Sequence, residues 1–134
     1  FRYCIVSDSN ISDMNRIWEE VIDSYAVKQM SKRQQEVMIE KGRGIVICDD
    51  DDNTVAAGMY EMTGSVCVAY HIAVTREYNS SGLGAAVMTE CAYRAFSEGC
   101  KKYISWISDD NEESINIHSR IGIFTGKYSQ QFIL

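Results

Sequence analysis

The sequence predicts a mixed α/β fold, a mostly antiparallel central sheet with helices on both faces. Three observations carry that expectation. Apolar residues recur with a two-residue period in some segments and a 3.6-residue period in others, and the two kinds of segment alternate along the chain. Two strand-like runs flank the polar stretch Asp49-Asp50-Asp51-Asp52-Asn53, as in a hairpin with a four- or five-residue loop. Helix-length segments separate the later strands, and such crossovers join parallel neighbours. The length of 134 residues fits one domain, expected to span 1–134. A domain of that size buries on the order of two-thirds of its unfolded surface, so it needs no disulfide or metal staple.

Taken in order, Arg2 to Val6 reads as the first strand. Asn10 starts a helix, with Asp13 as an acidic capping-box partner three residues on. Ile11, Met14, Ile17, Trp18, Val21, Ile22 and Tyr25 form its apolar face. A second helix runs from Ser31 to Glu40 and stops at Gly42. Gly44 to Cys48 and Thr54 to Tyr60 are the hairpin strands, and Ser65 to Val74 is the strongest strand of the chain. Gly82 opens the strongest helix, where Leu83, Val87, Cys91 and Ala95 repeat at i+4 and Gly99 follows the end. Tyr103 to Ser108 is the next strand. A short helix from Glu112 to Ile121 and a strand from Phe124 to Leu134 close the order β-α-α-β-β-β-α-β-α-β.

Composition narrows the function classes. Apolar residues make up 46% and charged residues 24%, with no Pro and 9 Gly, which excludes disordered and collagen-like chains. No run reaches the ~18 apolar residues of a membrane-spanning helix. The net charge of −6 disfavours nucleic acid and anionic membranes as partners and mildly favours a cation such as a small amine. The five cysteines are odd in number and lack metal-ligand spacing, so they read as reduced thiols of a cytoplasmic protein. The Asp run reads as a solvated turn, since hard-cation loops alternate their ligands and include a Gly; no metal is expected.

The stretch richest in chemistry is Val74-Thr75-Arg76-Glu77-Tyr78-Asn79-Ser80-Ser81-Gly82-Leu83-Gly84-Ala85, a strand end, a polar loop and a helix start. A helix N-terminus presents free N–H groups and partial positive charge. Gly82 and Gly84 remove side chains that would keep an anion away, and pyrophosphate suits such a cradle. The same glycines also suit a tight turn with no ligand. A dinucleotide fingerprint fails because Val87 stands at its third position, and a P-loop fails for want of a nearby Lys.

The loop Asn79-Ser80-Ser81-Gly82-Leu83-Gly84, preceded by Ile72-Ala73-Val74, resembles the acyl-CoA-binding motif of the Gcn5-related N-acetyltransferase (GNAT) family. The downstream run from Tyr103 through Asn111, then Ser114-Ile115-Asn116-Ile117-His118 and Gly122, resembles the family's second motif, and the element order fits its fold. The resemblance implies a sheet with a splayed parallel strand pair, acetyl-CoA as acyl donor, and direct attack by a primary amine. It implies that Ile72, Ala73 and Val74 pair with the pantetheine arm. It further implies that the backbone of Asn79, Ser80, Ser81, Gly82, Leu83, Gly84 and Ala85 cradles the pyrophosphate, and that Asn111 and Ser114 contact the CoA arm. The family's Arg or Gln at the loop head is Asn79 here. Its frequent Tyr acid is His118, an imidazole able to protonate a departing thiolate.

The base for the amine is open between Glu61, expected to end its strand, and Tyr70, expected by alternation to share a face with Ile72 and Val74. His71 is expected on the opposite face as a structural residue. In the first helix Glu19 and Asp23 stand at i, i+4 and could attract a cationic acceptor, while Trp18 reads as core. The acceptor is a small-molecule or peptide amine, and a homodimer is compatible with this reading. The alternatives are a catalytically degenerate acyl-CoA-binding or regulatory module, and a nucleotide-binding domain.

Overall fold

The structure is a computed structural model that describes residues 1–21, 31–79 and 81–105. Strand β1 (Arg2–Ile5) leads to helix α1 (Ile11–Val21). Helix α2 (Lys32–Lys41) follows, then β2 (Gly44–Cys48), β3 (Thr54–Thr63) and β4 (Val66–Val74). A single 3-10 turn (Arg76–Tyr78) precedes helix α3 (Leu83–Ser97), and β5 (Lys102–Ser105) is the last described element. The expected short helix from Glu112 and the strand from Phe124 lie outside the described residues.

Local chemistry sets the helix ends. Ser31 caps α2 through its hydroxyl, which accepts from the Gln34 N–H at 3.1 Å, while the Gln34 side chain accepts from the Ser31 N–H at 2.8 Å. That reciprocal pair satisfies two donors the helix would otherwise leave open. Gly42 ends α2 in the left-handed region at φ 66°. Helix α1 begins directly after Asn10, as expected, but among the described residues the Asp13 capping box is not formed. The Asn10 side chain accepts from Ser7 N–H at 2.8 Å and donates to Ile5 C=O at 3.2 Å. It braces the turn behind the helix, because that turn offers it a donor and an acceptor at once.

The sheet has the order β1-β2-β3-β4-β5. The first three pairings are antiparallel, and β4 with β5 is parallel, Val66 to Ala69 against Lys102 to Ser105. The mixed sheet with one parallel pair is thus as expected. Alternation along each strand feeds two cores. On one face Ile45, Ile47, Val55, Tyr60 and Cys67 meet Leu83, Val87, Cys91 and Ala95 of α3. On the other, Val46, Ala57, Met59 and Ala73 meet Met14, Ile17 and Trp18 of α1 and Met38 of α2. Each large side chain so buried stabilises the fold by about 1.5–3 kcal/mol.

At the far end of α3, Glu98 accepts from Arg43 at 2.8 and 3.1 Å and from the Tyr60 hydroxyl. Burial works to raise the Glu98 pKa, but the Arg43 and Tyr60 hydrogen bonds outweigh it and leave it below the ordinary value. Burial and then Glu98 push the Tyr60 phenol up, so it stays a donor. This group fastens one end of α3 to the sheet, which fixes where the other end points.

One irregularity bears on the site. Ala57 pairs with Ala73 but Met59 pairs with Tyr70, so His71 and Ile72 together oppose Gly58. This is a β-bulge in β4, and His71 takes a left-handed φ of 52° within it. The bulge breaks the alternation. Ile72 and Val74 pack on the α3 core, whereas Tyr70 holds the register position opposite Met59 of the α1 face. The expected shared face for Tyr70, Ile72 and Val74 is therefore corrected: an extra residue shifts the phase between them.

Candidate functional site

The site begins where β4 ends. Ala73 and Val74 stay paired with β3, and Thr75 N–H continues the ladder to Val55 C=O at 2.9 Å. The chain then tightens. Tyr78, Asn79 and Ser81 N–H groups donate to Thr75, Arg76 and Tyr78 carbonyls at 3.0, 3.2 and 3.1 Å. Arg76 crosses to the end of α1, where its guanidinium donates to Glu20 C=O at 3.3 Å. Glu77 is exposed, which suits the solvated role its position implies.

Gly82 is the N-cap of α3 at φ 88°, a conformation that favours glycine. A Cβ there would meet nothing within 4 Å, so the backbone angle and not crowding selects the residue. Leu83 N–H reaches the Ser81 hydroxyl at 3.4 Å. Among the described residues none accepts from the N–H groups of Gly82, Gly84 and Ala85. These donors sit at the positive end of a fifteen-residue helix. The Thr75 hydroxyl, at the strand end, is buried without a partner among the described residues. Donors open among the described residues and a helix dipole fit an anionic group such as a pyrophosphate.

The sequence-predicted residues fall into three groups. Ile72, Ala73, Val74, Asn79, Ser81, Gly82, Leu83, Gly84 and Ala85 form one continuous strand-loop-helix segment. Glu61 is interior to β3 and does not end it, since the strand continues to Thr63. It pairs with Val68 and shares the α1 face with Met59, three residues or about 10 Å along the strand from the bulge. Ser80, Asn111, Ser114 and His118 lie outside the described residues, as does Asp23. Glu19 is exposed on α1.

One residue of this neighbourhood, Gly58, escaped the sequence reading, and so did the polar contact of Trp18. Gly58 faces the bulge, and a Cβ there would stand 2.5 Å from Val87 Cγ1 and 3.1 Å from Ile72 Cγ1. An isolated Gly inside a strand is the signal that could have found it. Trp18 is fully buried, as expected of a core residue, but its indole N–H also donates to the His71 carbonyl at 2.8 Å. Burial lowers the His71 pKa, so its ring is neutral at neutral pH.

The five cysteines are free, and Cys48, Cys67, Cys91 and Cys100 are buried. Burial pushes the Cys67 and Cys91 thiols up to about 12, which makes them poor nucleophiles. Among the described residues no helix is long and apolar enough to cross a membrane.

Comparison with known proteins bears on the same segment. A family model described as the acetyltransferase (GNAT) family matches residues 11–123. No curated protein matches the sequence. Among solved structures, the chain resembles an aminoglycoside 6'-N-acetyltransferase from Acinetobacter haemolyticus at 15% identity. That match covers 100% of this chain and 98% of that one, with a TM-score of 0.72. A second aminoglycoside 6'-N-acetyltransferase, solved with a CoA bisubstrate analogue, matches at 11% identity over 99% and 97% of the two chains, TM-score 0.73. A ribosomal-protein alanine N-acetyltransferase from Escherichia coli matches at 12% identity over 90% and 76%, TM-score 0.72. At these identities the likeness is one of fold.

Proposed function

The chain belongs to the acetyltransferase (GNAT) family, whose acyl donor is acetyl-CoA, and we propose that it moves the acetyl group to a primary amine by direct attack in a ternary complex. The observation that carries this reading is the run of β4 into the Gly82-capped start of α3, with backbone donors open at the helix's positive end. Those donors hold the pyrophosphate, and Asn79, shorter than the family's usual Arg or Gln, leaves the backbone to bear most of that contact. Ile72, Ala73 and Val74 hold the pantetheine arm, with Asn111 and Ser114 on its other side.

In the reaction the neutral amine forms a C–N bond to the thioester carbon and the carbonyl electrons move to oxygen. Collapse breaks the C–S bond and expels a thiolate. A backbone N–H of β4 stabilises the oxyanion, the kind of contact whose loss typically costs about 2.7–4 kcal/mol. His118 gives its proton to the thiolate. Glu61, through water, takes the amine's proton, and Tyr70 is the other candidate for that step.

The acceptor is a small-molecule or peptide amine. The net charge of −6 and exposed Glu19 on α1 support a cationic acceptor over nucleic acid. Structural relatives named for aminoglycosides and for a ribosomal protein support both acceptor classes. The free cysteines support a reducing, cytoplasmic setting.

Calorimetric titration with acetyl-CoA, CoA, NAD and ATP tests the donor. Selective binding of the CoA species is expected, and its absence would end the enzyme reading. His118→Ala should lower kcat at least tenfold with acetyl-CoA affinity within twofold, the scale of a lost general acid. Unchanged kcat would remove His118 from the mechanism, and CoA binding without turnover on any amine would favour a non-catalytic acyl-CoA-binding module.

A further inference from the structure

We propose that Trp18 is a positioning residue for acetyl transfer: its indole N–H holds the His71 carbonyl and so fixes the bulge that sets Ile72–Val74 against the donor's thioester. The inference rests on the acetyl-CoA reading above. His71 has φ 52°, and a non-glycine residue in that region is strained by about 1–2 kcal/mol. Such a conformation persists only where its surroundings over-determine it.

Two contacts from Trp18 do so here. Trp18 Nε1 donates to the His71 carbonyl at 2.8 Å. The indole and imidazole rings lie 5.2 Å apart, tilted by 59°. Trp18 is 0% exposed, so its N–H has no water to turn to if the bond is lost. From the opposite strand, Gly58 leaves no slack, since even a methyl group there would press on Val87 and Ile72. The bulge is thus clamped between α1 and α3.

The consequence falls on β4. The bulge sets the phase of every residue after it, and a slip of one residue exchanges the two faces of a strand. With the bulge held, Ile72 and Val74 pack on the α3 core and the backbone between them has one fixed presentation at the head of the loop. Trp18 never touches the donor in this scheme. It acts through His71, and it ties the helix on the acceptor side to the strand on the donor side.

The test uses the full chain with acetyl-CoA labelled with 13C at the carbonyl, and reads the bound thioester stretch by infrared difference spectroscopy. Wild type should show a shift to lower frequency. Trp18→Phe keeps a ring but loses the N–H, and should lose at least half of that shift while CoA affinity stays within twofold. His71→Gly added to Trp18→Phe should restore the shift, because glycine holds a positive φ without a latch. A merely packing role for Trp18 would not be rescued by glycine, so failure of rescue overturns the proposal, as does a full shift in Trp18→Phe. Should Trp18→Phe not fold, His71→Val carries the test with Trp18 in place. A β-branched residue resists φ 52°, the shift should be lost, and its retention overturns the proposal. A wild type that binds no acetyl-CoA overturns the donor reading before any variant is measured. Binding with an unshifted carbonyl overturns the latch alone.

Discussion

The hairpin turn at Asp49–Asn53 and the loop from Thr75 to Gly82 are both polar, both joined to buried strands, and they dispose of their backbone donors in opposite ways. In the hairpin, one carboxylate closes the turn: Asp49 accepts from the N–H groups of Asp51 and Asn53, each at 2.9 Å. The Asp49 N–H goes to Asn53 C=O at 2.9 Å and the Asp52 N–H to Asp49 C=O at 3.1 Å. In the loop, the N–H groups of Thr75, Tyr78, Asn79 and Ser81 are paired, and then Gly82, Gly84 and Ala85 find no acceptor among the described residues. A turn that satisfies itself is a closure. One that leaves donors open at a helix dipole has a place for an anion. Four acidic side chains crowd the first turn, whereas the loop carries one, the exposed Glu77.

Substitution at Gly82 would break the comparison most sharply. Gly82→Val forces a β-branched residue into φ 88°, where it is strained by about 1–2 kcal/mol or leaves the conformation. Apart from its chain neighbours, no described residue lies within 4 Å of the new Cβ, so the damage stays with the N–H groups. Acetyl-CoA affinity should fall at least tenfold by calorimetry. An affinity within twofold of wild type would mean that the loop is no more a binding site than the hairpin is.

Much of this frame was legible in the sequence, because it is local. Ser31 and Gly42 bracket α2, Gly44–Cys48 is β2 as read, and Gly82 stands where α3 begins. The strand, loop and helix of the donor site needed only periodicity and two glycines. The bulge was not legible in that way. It is a mismatch of count between two strands, His71 and Ile72 against Gly58, and a single strand's alternation carries no record of its partner's. The error on Tyr70 follows directly. Asn10 was rightly read as the helix start, but its capping box with Asp13 was not formed, because its side chain had two local partners behind it and capping rules weigh only those ahead. Trp18 was read as apolar area, and the destination of its N–H depends on a carbonyl 53 residues away. For Asn111, Ser114 and His118 the sequence remains the sole ground.

A milder change sharpens the other side of the comparison. Asp49→Ala removes the acceptor for two backbone N–H groups in an exposed turn, where water can replace it. The melting temperature should drop by about 2–4 °C, the scale for a small loss in a domain of this size. Acetyl-CoA affinity should stay within twofold. A large loss of affinity would show that the hairpin reports to the donor site.

The smallest effect is the pH dependence of that closure, and its sign is fixed. The Asp49 pKa lies below the ordinary value, chiefly through the hydrogen bond from the Asn53 backbone. A carboxylate depressed in the folded state binds fewer protons there than in the unfolded chain, so its contribution is present above the unfolded pKa, about 3.9, and fades as pH falls through the folded one. Asp49→Asn, which keeps an acceptor but no charge, should therefore be less stable than wild type at pH 6. The gap should close as pH is lowered from about 4 toward 2. Melting curves of the two proteins across that range decide it. A gap that stays constant would mean that hydrogen-bond geometry alone, and not the charge on Asp49, closes the turn.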